Sequence, residues 1–343
     1  MYQWLRKGLF SLAPETAHEL AMESLKFGGH FGLPRLYAGA RVDDPFVLMG
    51  LEFPNRVGLA AGLDKNGDYI DALGQLGFGH IEVGTVTPKP QPGNPAPRMF
   101  RVKPAEAVIN RMGFNNTGVD HLVERLRNHR FDGIIGANIG KQKDTPVDQA
   151  IGDYLHCLDK VYPHCDYIAI NISSPNTENL RQLQDTAALS ELLAALVAAG
   201  SEARQRHGTH RPLVVKIAPD WREDALTASL ETIAASGFDG LIATNTTTAR
   251  EAIAGLPHAN ETGGLSGRPL LEPSNRVLAR ARDVLGSDFP ILGSGGVMSA
   301  DDARAKHAAG ADLVQLYTGF IYHGPTLIKA CARALAESEE RTG

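Results

Sequence analysis

Eight short apolar runs, rich in β-branched residues, recur along the chain, and each ends in a cluster of Gly, Asn, Lys or Thr. They are RVGLAAG from Arg56, HIEVGT from His80, IIGANIG from Ile134, YIAINIS from Tyr167, LVVKIA from Leu213, GLIATN from Gly240, PILGSGG from Pro290 and DLVQLY from Asp312. A run that is apolar at nearly every position marks a strand buried on both faces, and helical patterns between most of the runs make the sheet parallel. Eight such units predict an α/β fold, a (β/α)8 TIM barrel. Between the second and third runs lie the Pro-rich TPKPQPGNPAPRMF and then INRMGFNNTG. An insertion there is predicted to overhang the barrel mouth, because every βα loop leaves at the C-terminal face.

The 343 residues, 43% hydrophobic with 36 glycines, suit one large core joined by many tight loops. A net charge of -5 argues against a general nucleic-acid binder, so no nucleic-acid partner is expected. Cys157, Cys165 and Cys331 form no CxxC pair, as expected of a reduced cytoplasmic chain. No run of about 18 apolar residues occurs, so no membrane-spanning helix is expected. The N-terminus lacks the apolar core and cleavage site of a signal peptide and is read as mature structure. Residues 1–40 are expected to form a separate helical segment and 41–343 the barrel. In PETAHELAMESLKF the apolar Ala17, Leu20, Ala21, Met22 and Leu25 recur at helical spacing. Pattern alone favours a cap helix packed on the barrel over an interfacial membrane anchor.

Catalytic groups of such a barrel sit at the C-terminal strand ends. Here these read AAGLDK, GTVTP, NIGK, NISSPN, KIAPD, TNTT, GSGG and YTG. Amides, hydroxyls and lysines dominate, with no clustered His/Asp/Glu set, so a metal-free site is predicted. The glycines after the last two strands, with GLSGRPL (264–270), suit a phosphate held by backbone N–H groups. Lys65 and Lys216 would add positive charge beside an anionic ligand. Asn110, Asn138, Asn171, Asn176 and Asn245 offer donors and acceptors to a planar ring edged with N–H and C=O groups, as in a pyrimidine or flavin.

These motifs, with INRMGFNN, NISSPNT and LVQLYTGFIYHGP, resemble in order and spacing the class 2, quinone-dependent dihydroorotate dehydrogenases, across essentially the whole chain. The resemblance implies oxidation of dihydroorotate to orotate in pyrimidine biosynthesis, with FMN as cofactor. It implies FMN contacts from Ala61, Gly62, Leu63, Asp64, Lys65, Thr85, Asn138, Asn171, Lys216, Thr244, Gly267, Gly296, Tyr317 and Thr318. Substrate contacts are implied for Lys65, Asn110, Arg111, Met112, Gly113, Phe114, Asn171, Asn176, Asn245 and Thr246. The base implied is Ser174, where the soluble class 1 members generally carry a cysteine. With no histidine to take its proton, such a serine acts only by passing a proton onward, through Thr177 or an ordered water, shielded by Phe114.

The resemblance also implies a membrane quinone as electron acceptor, and two N-terminal helices that dip into the membrane surface and form an apolar tunnel. His18, Arg101 and Tyr317 match positions along that route. A monomer, peripheral on the cytoplasmic face of a bacterial cell membrane, is expected. Thr318 stands where the family often has serine, and Ser294 where an apolar residue is usual; neither removes a phosphate glycine. The rivals are a flavin barrel that reduces tRNA uridine, opposed by the net charge and by Ser174, a soluble class 1 enzyme, opposed by the N-terminal extension, and a non-catalytic barrel.

Overall fold

The computed structural model describes residues 2–177 and 180–340. Eight parallel strands close a barrel in chain order: β1 (Val57–Leu59), β2 (His80–Val86), β3 (Ile134–Ile139), β4 (Tyr167–Asn171), β5 (Leu213–Ile217), β6 (Gly240–Ala243), β7 (Ile291–Ser294) and β8 (Leu313–Leu316). The ring closes where Val314 and Leu316 of β8 pair with Val57 and Leu59 of β1. All eight apolar runs therefore become barrel strands. Their continuous hydrophobicity has the expected cause: every residue of β2, β4 and β5 is buried, one face against the barrel interior and the other under helices.

A helix follows each strand, from Ile70–Gly74 after β1 to Pro325–Glu340 after β8. One of them, Thr186–His207, is long and apolar enough by composition to cross a membrane, unlike the expectation from uninterrupted runs. Its leucines are spent otherwise: Leu189, Leu192, Leu193 and Leu196 are buried in the main core. The N-terminal end of the barrel is plugged by the hairpin Phe46–Leu48/Leu51–Phe53, whose Phe53 packs with Tyr167, Val214, Ile242, Leu292 and Leu313. Above the opposite end, the long insertion forms strands Met99–Val102 and Ala107–Asn110, which join Gly264–Gly267 in a three-stranded antiparallel sheet. This sheet aims the Asn110–Phe114 segment at the mouth.

The N-terminal segment holds three helices rather than two: α1 (Tyr2–Leu9), α2 (Pro14–Gly29) and α3 (Leu33–Ala38). Gly32 and Gly39, both at positive φ, bracket the extra one. α2 lies on the Ile70–Gly74 helix, so close that a Cβ at Gly29 would stand 3.1 Å from Ala72 Cβ. Ala17 and Met22 face inward, but Trp4, Leu5, Leu12, Leu20, Phe27, Phe31, Leu33 and Leu36 are exposed. Among the described residues only one other large apolar side chain, Val47, is so exposed. The amphipathic pattern is thus real, but it serves two surfaces, and the larger side chains face away from the barrel.

Candidate active site

The strand ends and the overhanging insertion enclose one cavity at the mouth. Ala61, Gly62, Lys65 and Thr85 line it from β1 and β2, and Asn171, Ser174, Asn176 and Lys216 from β4 and β5. Thr244, Asn245, Thr246, Gly267, Gly296, Tyr317 and Thr318 line it from the last strands, and Asn110, Met112, Gly113 and Phe114 from above. Leu63, Asp64, Asn138 and Arg111 do not line it. Leu63 is in the hydrophobic core. Asp64, buried, accepts from the backbone N–H groups of Asp68 (3.0 Å) and Tyr69 (2.8 Å) and so shapes the loop that carries Lys65. Burial raises the Asp64 carboxyl to about pH 6 in pKa, against those hydrogen bonds. Arg111 turns outward, paired with Glu261 at 2.7 Å and lying over the Phe100 ring. Ser266, Ser294 and Gly295, inside the motifs read as phosphate loops, also line the cavity, and so does Gln315, to which sequence reasoning gave no part in the site.

Asn138 belongs to a polar network beneath the floor. Glu82, wholly buried in β2, accepts from Asn138 Nδ2 (2.7 Å) and Lys216 Nζ (3.3 Å) through Oε1, and from Gln315 Nε2 (2.7 Å) and Tyr167 OH (3.0 Å) through Oε2. Burial alone would raise this carboxyl, but the Lys216 charge and the hydrogen bonds outweigh it and hold it below its ordinary value. A buried carboxylate with four donors is therefore ionised, and it pairs with Lys216 at the cavity wall. One signal was available in sequence: an acidic residue in the middle of a strand that is buried throughout needs a partner.

The amides are locked in turn. Thr85 Oγ1 bonds Asn138 Oδ1 at 2.5 Å and accepts from Asn171 Nδ2 at 2.9 Å. Ser173, with its hydroxyl between Asn171 Oδ1 (3.1 Å) and Asn245 Nδ2 (3.0 Å), braces both asparagines. Ser174 differs from its neighbour: its Oγ accepts only the Asn176 N–H, at 3.2 Å, and faces the cavity. Among the described residues Thr177 Oγ1 is buried with no partner, so the two hydroxyls are not bonded to each other. Phe114, at positive φ and nine-tenths buried, lines the same cavity.

Electrostatics favour an anion at the Lys65 side. Burial first, then nearby Arg98, lowers the Lys65 ammonium to about 8 despite Glu15 and Asp64. Burial and Lys65 together lower His18, on α2, to about 4. His18 is thus neutral near pH 7, and the desolvated Lys65 ammonium is the charge that a carboxylate placed beside it would relieve. His18 and Arg101 themselves lie off the cavity; Arg101 donates to Leu12 O at 2.9 Å and stands over the Phe10 ring, tying the α1–α2 turn to the insertion.

The residues fit a flavin nucleotide on two observations. Gln315 leaves its Oε1 buried and unpartnered at the cavity floor, an acceptor that calls for a donor. Gly267 and Gly296, both at positive φ, bring backbone into the wall where a side chain has no room: a Cβ at Gly296 would stand 2.2 Å from Leu271 N. No group of three or more His, Cys, Asp or Glu that could hold a metal occurs among the described residues.

A dihydroorotate dehydrogenase family model matches residues 46–338. A curated dihydroorotate dehydrogenase (quinone) of Thiobacillus denitrificans is 53% identical over 337 residues, covering 98% of this chain and 100% of that one. One from Azotobacter vinelandii is 53% identical over 336 residues, covering 98% and 97%. Among solved structures, an Eimeria tenella DHODH in complex with ferulenol superposes with a TM-score of 0.86 at 33% identity, covering 98% of this chain and 95% of that one.

Proposed function

This chain belongs to the dihydroorotate dehydrogenase family as a quinone-dependent enzyme of pyrimidine biosynthesis, and we propose that it works through FMN, with Ser174 as the base. The observation that carries this reading is the gathering of Ser174, four asparagines, two lysines and two glycine turns around one cavity. FMN, when bound, supplies the acceptor for the hydride leaving C6 of dihydroorotate. Asn110, Asn171, Asn176 and Asn245 then bind and orient the substrate ring, whose alternating N–H and C=O groups match their amides. Lys65 faces its carboxylate, a pairing supported by the burial that leaves the Lys65 ammonium short of solvation at the cavity wall.

Ser174 takes the C5 proton. Its single accepted hydrogen bond leaves lone-pair capacity toward the cavity, and Asn176 N–H fixes its direction. Thr177 Oγ1, buried and uncommitted, is the next proton carrier, reached by a small rotation or through one water. Met112 and Phe114 exclude bulk water above it. Lys216, paired with Glu82, would supply positive charge to a bound flavin. The exposed apolar face of α1–α3 supports docking on the cytoplasmic surface of the membrane, where a quinone enters between these helices and the mouth. A working monomer is part of this proposal.

The test is anaerobic stopped-flow reduction. The purified protein is expected to be yellow and to bleach with dihydroorotate. Ser174→Ala should keep its flavin and reduce it slower by roughly 10²–10⁴-fold, the usual contribution of a positioned base. Reduction at the parent rate in that variant would remove Ser174 from the role.

A further inference from the structure

Lys306 is wholly buried on the helix Ala300–Ala308, outside the cavity lining. Its Nζ donates to Ser274 Oγ at 2.7 Å and to Asn275 Oδ1 at 2.8 Å, and no carboxylate lies within ion-pair distance of it. Its aliphatic stem runs beneath the end of β7, so that a Cβ at Gly293 would meet Lys306 Cγ at 2.7 Å. A buried ammonium held only by neutral oxygens is costly unless an anion nearby offsets it. Burial pulls it down to about 7, with only Asp302 and Glu272 at longer range acting the other way.

The hydrogen bonds lead from this charge to the cavity. Ser274 accepts from the ammonium and therefore directs its own proton outward, shared between Leu271 O (2.9 Å) and Gly295 O (3.1 Å). Gly295 C=O and Gly296 N–H belong to one peptide unit, and Gly296 lines the cavity. A carbonyl that accepts a charge-assisted chain polarises its peptide and makes the N–H a stronger donor.

We propose that Lys306 is a positioning residue for the flavin phosphate: its ammonium, acting through Ser274, strengthens the Gly295–Gly296 peptide as a dianion donor. The proposal rests on the flavin reading above. A mere structural pin between the helices Leu271–Leu285 and Ala300–Ala308 would affect every ligand alike. Deflavinated wild type, Lys306→Met and Ser274→Ala are therefore titrated with FMN and with riboflavin, which lacks the phosphate, by quenching of flavin fluorescence. Lys306→Met should weaken FMN by about tenfold, the effect of about one charge-assisted hydrogen bond, and leave riboflavin unchanged. Ser274→Ala, which keeps the charge and breaks the chain, should shift FMN the same way by a smaller factor and reports the outcome if Lys306→Met does not fold. An FMN-to-riboflavin affinity ratio equal to that of wild type overturns the proposal. Wild type that binds neither flavin overturns instead the reading on which it rests.

Discussion

Beneath the barrel mouth a carboxylate, an ammonium, a phenol and two amides are packed away from water, whereas on α1–α3 eight large apolar side chains are left facing it. Each region inverts the ordinary sorting of residues, and each needs a different compensation. Glu82 is satisfied from within by its four donors, and of this set Gln315 Oε1 is left open toward the cavity. The apolar set is satisfied by nothing in the chain, which is why we assign it to a membrane surface. On the function proposed above, the first region would hold the chemistry still, and the second would sit where an acceptor comes and goes.

Three experiments bear on this contrast. The largest effect is expected from Glu82→Gln, which turns an amide toward four donors and leaves Lys216 without its counter-charge. Removing one partner of a buried pair costs about 3–5 kcal/mol, so denaturant unfolding should show a loss of that order. Stability within about 1 kcal/mol of the parent would mean that water reaches the network and the region is not closed.

Next comes His80, at the N-terminal end of β2. It is buried with neither ring nitrogen hydrogen-bonded, its ring edge-on to Phe53 at 5.4 Å. Burial lowers it to about 4, against the pull of Glu82. With the folded value below the unfolded one of 6.5, the unfolded chain binds the extra proton first. The neutral ring's contribution is thus present above about pH 6.5 and lost as pH falls toward 4, up to about 3 kcal/mol for this group. His80→Phe should flatten the fall in unfolding free energy across that window. An unchanged slope would show that other groups set the acid limit of the barrel.

The smallest change in stability belongs to the other region. Phe27→Glu/Phe31→Glu/Leu36→Glu should leave unfolding free energy within about 1 kcal/mol, because these side chains contact little of the protein. The same variant should lose about tenfold or more in sedimentation with phospholipid vesicles, while flavin reduction by dihydroorotate is unchanged. Undiminished vesicle binding would sever the link between the exposed face and the membrane.

Much of this was legible in the chain. The barrel was, because strands buried on both faces are mostly apolar along their whole length, and eight of them alternating with helices is the pattern of a (β/α)8 barrel. Most lining residues were too, since a barrel confines its chemistry to strand ends. Contiguous motifs misled where neighbours diverge: Lys65 lines the cavity, but Leu63 enters the core and Asp64 folds back on its own loop. Arg111 and Met112 part in the same way. In α2 the apolar spacing announced amphipathicity but could not say that Met22 meets the barrel while Leu20 and Phe27 face outward.

Sequence by itself determined the strand count, the parallel sheet and the polar, glycine-rich character of the mouth, since these follow from local periodicity and residue chemistry. Only the tertiary structure decided that Glu82 meets Lys216 across 134 positions, or that Lys306 stands behind Gly295. The reason is physical: the cost of burying a charge depends on what is brought beside it, and barrel closure sets that through space rather than along the chain.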